Sequence, residues 1–214
     1  MVLAGVREEE VTRLFKLSDT PLVLVYCVSP DGTIDHVIIN NVKGIFDLVK
    51  CLVDLGHTRI GYIGWIEGSS DSRHQLDAFK DSMRKLGIKV DGNLVLEIQY
   101  EKDRDVYKVV EEYLNMDNLP TATVAVFAMK VANQLGLNIP DDLSITGFGD
   151  SAYSRDLIPS LTMVCVNPRQ LGTYAGKLLI ERRKNQNNEI IKQVALGTHL
   201  VICESYFKPK ASRE

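Results

Sequence analysis

The sequence predicts an α/β protein whose parallel sheets carry helices on both faces. Three observations predict it. Strand-length apolar runs alternate with helix-length amphipathic stretches along the whole chain. Runs such as Pro21 to Cys27 are apolar throughout, as strands buried on both faces require. The amphipathic stretches close at Gly56, Gly87 and Gly136, each shortly before another apolar run, which is the punctuation of a helix that stops and returns to a strand.

Met1 to Gly5 reads as the tail of a buried strand, and Glu8 to Leu17 as a helix with Val11, Leu14, Phe15 and Leu17 on its apolar face. The strand Pro21 to Cys27 is followed by a turn at Ser29-Pro30-Asp31-Gly32 and a second strand from Asp35 to Asn40. Lys43 to Leu55 reads as a helix, Ile60 to Ile63 as a strand and Leu76 to Leu86 as a helix. Leu94 to Ile98 is a strand and Asp105 to Leu114 a helix. Ala125 to Leu135 reads as a helix, with Val126, Met129 and Ala132 on one face; Gly136 ends it and Pro140 forbids its return. Leu143 to Thr146 is then a short buried strand, with Gly147-Phe148-Gly149-Asp150 as the loop leaving its carboxyl end. In open α/β sheets ligands bind at such carboxyl ends, so this loop is a site candidate. Leu161 to Val166 is a strand, Arg169 to Arg183 a helix, and Gln193 to Ser205 one or two closing strands.

A chain of 214 residues can bury a substantial core as one domain or two. Its formal net charge of −3 argues against a surface that itself grips nucleic acid, because phosphate contacts need clustered Lys and Arg. Cys27, Cys51, Cys165 and Cys203 lie far apart without a C-x-x-C, which fits free thiols in a reducing compartment. No signal peptide and no bilayer-length apolar run is visible, so a cytoplasmic protein that does not enter the membrane is expected. Catalysis finds little support. There is no nucleophile elbow, phosphate-binding loop or dinucleotide fingerprint, and His36, His57, His74 and His199 show no metal spacing. The expectation is a protein that is not an enzyme, with no metal and no cofactor.

The stretch Gly136-Leu137-Asn138-Ile139-Pro140-Asp141-Asp142-Leu143-Ser144-Ile145-Thr146-Gly147-Phe148 resembles a signature of the LacI/GalR (lactose-repressor-like) family of bacterial transcription regulators. Further segments resemble that family in the right order. They are Asn40-Asn41-Val42-Lys43-Gly44 leading to Leu55-Gly56-His57-Thr58-Arg59-Ile60, then Leu119-Pro120-Thr121-Ala122, then Ile158-Pro159-Ser160-Leu161-Thr162, and finally Leu200-Val201-Ile202-Cys203-Glu204-Ser205. The resemblance implies a two-lobed periplasmic-binding-protein-like fold, with the chain crossing three times between the lobes and a ligand in the cleft. Residues 1–40 and 163–193 would form an incomplete N-terminal lobe, and residues 41–162 and 194–214 the C-terminal lobe. Crossings are expected near Asn40-Asn41, Leu161-Thr162 and Leu196-Gly197.

Two departures from the family pattern stand out. A helix-turn-helix head and the first βαβ part of the N-terminal lobe would lie upstream of Met1 or be absent. Ala122 also runs straight into Thr123-Val124-Ala125-Val126, where the family has a buried strand ending in an Asn-Asp pair, so a central strand is expected to be missing.

The resemblance places ligand contacts at the crossings and on loops after strands. Asn40 stands where many members have Asp, and Gln75 where most have a ligand-clamping Arg. Arg73 could replace that donor or simply face solvent. Gly149 stands where an Asp usually binds ligand hydroxyls, and Asp150 keeps the acid that follows. Trp65 and Tyr100 end successive strands on the same rim, where their rings either stack on a sugar or cover their own loops. Ser69-Ser70-Asp71-Ser72 could bond a ligand or cap the helix that follows, and Ser72 is expected to cap. Gly44 is read as a close helix–strand approach and His57 as a structural helix-end histidine. The expected function is the effector-binding and dimerisation core of a LacI-type regulator. Its effector would be a small, sugar or sugar-like molecule, and its operator DNA would be held by a head outside these residues. Loss of charge at Gln75 and Gly149 favours a neutral ligand over an anionic one. The rival reading is a periplasmic-type sugar receptor of the same fold.

Overall fold

The computed structural model describes residues 1–5, 10, 11, 13, 20–65, 70–99, 105–125, 128–150, 154–185 and 190–210, excepting the side chain of Asp150. Among the described residues ten strands fall into two separate sheets. The first is four-stranded and wholly parallel, in the order β1 (Val2–Ala4), β2 (Val23–Val25), β3 (Asp35–Ile39), β9 (Gln193–Leu196). The second is six-stranded, in the order β10 (His199–Val201), β8 (Thr162–Val166), β7 (Ser144–Asp150), β6 (Ala122–Val124), β4 (Ile60–Trp65), β5 (Val95–Ile98). Only β10 within it runs antiparallel to its neighbour.

Alternation along the strands explains how each sheet buries both faces. From β4, Tyr62 joins a core with Ile45, Leu48 and Leu52 of α1 (Asn41–Asp54) and Phe79 and Met83 of α2 (Ser70–Lys85). Its neighbour Ile63 points the other way, to Val110 and Leu114 of α3 (Val106–Leu114) and Met129 and Ala132 of α4 (Ala128–Gln134). In the first sheet Val23 and Val25 pack beneath Leu171, Ala175 and Leu178 of α5 (Pro168–Lys184). Leu24 turns to the opposite core with Val11, Leu22 and Ile34. Each fully buried Leu, Ile or Phe of this kind contributes about 1.5–3 kcal/mol by removal from water.

The chain passes between the sheets at Asn40, at Asn167 and at Gly197–Thr198. The middle passage lies later in the chain than the sequence reading places it. β8 stays in register with β7 from Thr162 opposite Thr146 to Val166 opposite Asp150, so the chain leaves the second sheet at Val166 rather than at Leu161-Thr162. Residues 163–166 therefore belong with the second sheet, and residues 194–196, paired with β3, belong with the first. The same pairing corrects the reading of Gly147-Phe148-Gly149-Asp150 as a loop: these residues complete β7. Seven residues of β7 are paired because β8 supplies partners along its outer half.

The missing central strand is also corrected. Ala122–Val124 forms β6, buried and paired with β4 on one side and β7 on the other. The sheet thus keeps its ladder; Ala125 is not helical, the described helix runs Ala128–Gln134, and Val126, expected on its apolar face, lies outside the described residues. Of the expected helix Glu8 to Leu17, only Glu10, Val11 and Arg13 are described, and they are helical.

Candidate ligand cleft

Asn40 ends β3 and caps α1. Its Oδ1 accepts a hydrogen bond from the Lys43 amide at 3.0 Å, and its own amide donates to the Leu196 carbonyl at 2.9 Å. The first crossing is thereby tied to the third. Gly44, one turn into α1, lies against Phe148, Val164 and Thr198. A Cβ there would come within 2.8 Å of each of them, so the close approach expected at this residue is what the structure shows.

Asn41, the first residue after the crossing, is buried. Its Nδ2 donates to Asp71 Oδ1 at 2.6 Å. From the next turn of α2, Gln75 Nε2 donates to Asp71 Oδ2 at 2.9 Å. Asp71 thus receives an amide on each carboxylate oxygen and has no Lys or Arg ion pair among the described residues. Burial pushes its pKa above the ordinary carboxylate value, and the two amide donors oppose that shift. Burial, followed by the nearby Asp71 and Glu97 charges, raises the pKa of the Tyr62 phenol, which therefore stays neutral.

Next to Asp71, the buried Ser70 hydroxyl accepts a 3.2 Å hydrogen bond from the amide of Val28, in the loop after β2 of the first sheet. The amino end of α2 therefore meets the carboxyl edge of the first sheet. Phe148 completes the junction: it packs partly buried against the α1/α2 core and against the α5 core.

Of the residues singled out in the sequence, Asn40 and Gln75 lie at this junction, Asn40 as a helix cap and Gln75 as a donor to Asp71. Arg73 is exposed on the far side of the turn from Gln75. Trp65 is the last residue of β4, opposite Ile98, and packs half-buried against the core containing Ile63, Ile98 and Val110. Asp150 ends β7 opposite Val166, at the middle crossing, and its side chain lies outside the described residues. Tyr100 lies outside them altogether. Gly149 has φ of 140°, a backbone that an L side chain adopts only with strain, so the glycine and the local path of β7 go together. Ser72 does not cap: α2 already begins at Ser70, which puts Ser72 inside the first turn. His57 is structural, with Nε2 donating to the Phe207 carbonyl at 2.7 Å and Nδ1 lying 2.9 Å from Thr121 Oγ1.

Sequence reasoning names Asp71 only within the stretch Ser69-Ser70-Asp71-Ser72, as a ligand contact or a helix cap, and does not single out Asn41 as a site residue. The available signal was the spacing of Asp71 and Gln75, four apart on one helix face. Nothing local marks Asn41, whose role depends on how α1 and α2 pack.

Comparison with known proteins identifies the class. The chain matches the family of periplasmic binding protein-like domains over residues 49–206. It is 30% identical to the ribose operon repressor of Haemophilus influenzae over 196 residues, which is 89% of this chain and 58% of that protein. It is 31% identical to catabolite control protein A of Priestia megaterium over 194 residues, 87% of this chain and 57% of the relative. Among solved structures it superposes on the regulator CelR in complex with cellobiose with a TM-score of 0.84 at 22% identity, covering 95% of this chain and 64% of that one. The chain belongs to the periplasmic binding protein-like family. It spans a little over half the length of the curated relatives it matches.

Proposed function

We propose that this chain is the effector-binding and dimerisation core of a LacI-type transcriptional repressor. A small, neutral, sugar-like molecule binds between the lobes and changes the geometry in which a dimer presents two DNA-binding heads to an operator. The observation that carries this reading is a pair of sheets joined by three crossings, with polar side chains converging where the sheets meet. The relatives support it: they are named as transcriptional regulators rather than enzymes, one is a ribose operon repressor, and the CelR neighbour carries cellobiose. No helix among the described residues is long and apolar enough to cross a membrane.

The mechanism is a population shift. The crossings at Asn40, Asn167 and Gly197–Thr198 let the lobes change their angle, and a ligand that touches both lobes favours one angle over the other. Moving the equilibrium decisively takes a preference of roughly 5 kcal/mol between the two states. A dimer then converts the lobe angle into the spacing of two recognition helices, which must match operator half-sites one DNA turn apart. The test is operator binding by the complete protein, with its head, in the presence and absence of neutral sugars. The expected result is specific binding whose affinity one sugar changes tenfold or more. Absence of operator binding under both conditions contradicts the proposal, and would favour a binding protein that delivers its sugar elsewhere.

A further inference from the structure

We infer that the outer end of the second sheet carries a second binding site, for a small organic oxyanion, held by Arg59 and Lys89. The site is separate from the cleft and does not rest on the effector reading. A groove of about 530 Å³ opens there, with Thr58 and Arg59 at the entry to β4 on one side and Lys89 and Asp91, from the loop between α2 and β5, on the other. Small-molecule pockets have volumes of this size. The cleft lies past the carboxyl end of β4, at the start of α2. The groove lies at the amino end of the same strand, six residues away. That separation is about 20 Å along the strand.

Arg59 is held in place before any ligand arrives. Its Nε donates to the Leu119 carbonyl at 3.3 Å, its Nη2 to the Asn118 carbonyl at 2.6 Å and its Nη1 to Asp91 Oδ2 at 3.2 Å. A guanidinium has further N–H donors to offer beyond these. Asp91 is committed as well, since its other oxygen accepts from the Asn93 amide at 3.0 Å. The charges of Arg59 and Asp91 therefore balance. Lys89 is exposed and pairs with no acid among the described residues. The groove thus holds one uncompensated positive charge beside a fixed planar guanidinium. That pairing suits an oxyanion, whose charge-assisted hydrogen bonds to both cations are stronger than those of a neutral hydroxyl. Ile60 and Leu94, both buried, line the same groove and give the ligand's carbon skeleton an apolar floor. Phosphate esters and carboxylates share this chemistry.

The experiment is calorimetric titration of the complete protein, at near-physiological salt, with inorganic phosphate, glucose 6-phosphate and citrate. Glucose is the neutral counterpart, and amide hydrogen exchange locates each anion that binds. The proteins are wild type, Lys89→Gln and, as a surface control, Lys50→Gln, whose lysine pairs with Asp54 on α1. Arg59 is left intact because it is bonded into the Asn118–Leu119 segment. The expected result is that at least one anion binds and slows exchange at residues 58–60 and 88–94. Lys89→Gln should weaken it about tenfold or more, as loss of a charged hydrogen bond does, while Lys50→Gln leaves it unchanged. Binding of the phosphates without citrate assigns a phosphate group, and binding of citrate alone assigns a carboxylate; each supports the site. Binding by none of the three anions overturns the inference. So does protection confined to cleft residues 40–44 and 70–75, an affinity that Lys89→Gln leaves unchanged or that both lysine variants weaken equally, or glucose that binds the groove as tightly as its phosphate ester. Operator binding and its response to neutral sugars stand apart from all of these results.

Discussion

Asp35 shows what one buried charge does for this fold. It is 3% exposed at the start of β3 and accepts from Arg182 Nε at 2.9 Å and from the Lys192 amide at 2.8 Å. One carboxylate thus joins β3 to the last turn of α5 and to the segment entering β9. Asp35→Ala leaves the guanidinium without its anion, and we expect a loss of about 3–5 kcal/mol in chemical denaturation. Gly44→Ala forces a methyl into the 2.8 Å contacts with Phe148, Val164 and Thr198, and should cost about 1–3 kcal/mol by the same measurement. Asp71 behaves oppositely. Its folded pKa lies above the unfolded value, so the folded form takes up the proton first as pH falls. The ionised carboxylate therefore costs stability above the raised pKa, and that cost disappears as pH falls through it toward the ordinary value. Wild type should therefore gain on this account as pH falls, and Asp71→Asn, which cannot titrate, should lack that gain in a melting-temperature series; equal pH slopes would contradict the burial argument. At this scale the sequence was legible where sterics decide, as at Gly44. It was opaque where two distant helices decide, as for Asn41 and Asp71, because no local pattern encodes a contact that exists only after α1 and α2 pack.

Elements were the most legible scale. Runs of apolar residues and glycine stops locate α1, α3, β4, β5 and the end of α2 within a few residues, because period and punctuation are local properties, but α2 is already helical at Ser70, well before Leu76. Errors came where pairing overrides propensity. Gly147 and Gly149 read as loop, yet β8 draws them into a seven-residue strand. Thr123-Val124 read as the approach to a helix, yet the ladder between β4 and β7 holds them as β6. The segment after β10 is pinned by His57 and by Ser144 Oγ, which accepts a hydrogen bond from the Phe207 amide at 3.0 Å. Burial lowers the His57 pKa below its ordinary 6.5, against the opposing pull of the Phe207 carbonyl. The unfolded chain therefore binds the proton more readily, and this contribution to stability is present at neutral pH and lost as pH falls below 6.5 through the lower folded value. A melting-temperature series from pH 7.5 to 5 should fall more steeply for wild type than for His57→Gln; parallel slopes would remove His57 as the cause.

At the scale of the whole molecule, the two sheets are separate bodies of β structure linked by three short passages and by the side chain of Phe148. That arrangement suits a protein whose lobes change their angle when a ligand enters between them. Periodicity alone predicted parallel sheets with flanking helices; division into two lobes came from resemblance, since local patterning does not say which strands share a sheet. The middle crossing was misplaced for the same reason. The measurement that tests the central claim most directly is amide hydrogen exchange of the protein with and without a neutral sugar that binds it. The account predicts slower exchange in both lobes at once: at residues 40–44 and 70–75 of the second, at residues 26–28 of the first, and at the Val166–Asn167 passage. Protection confined to one lobe, or none at any crossing, would contradict a ligand that acts by holding the two lobes together.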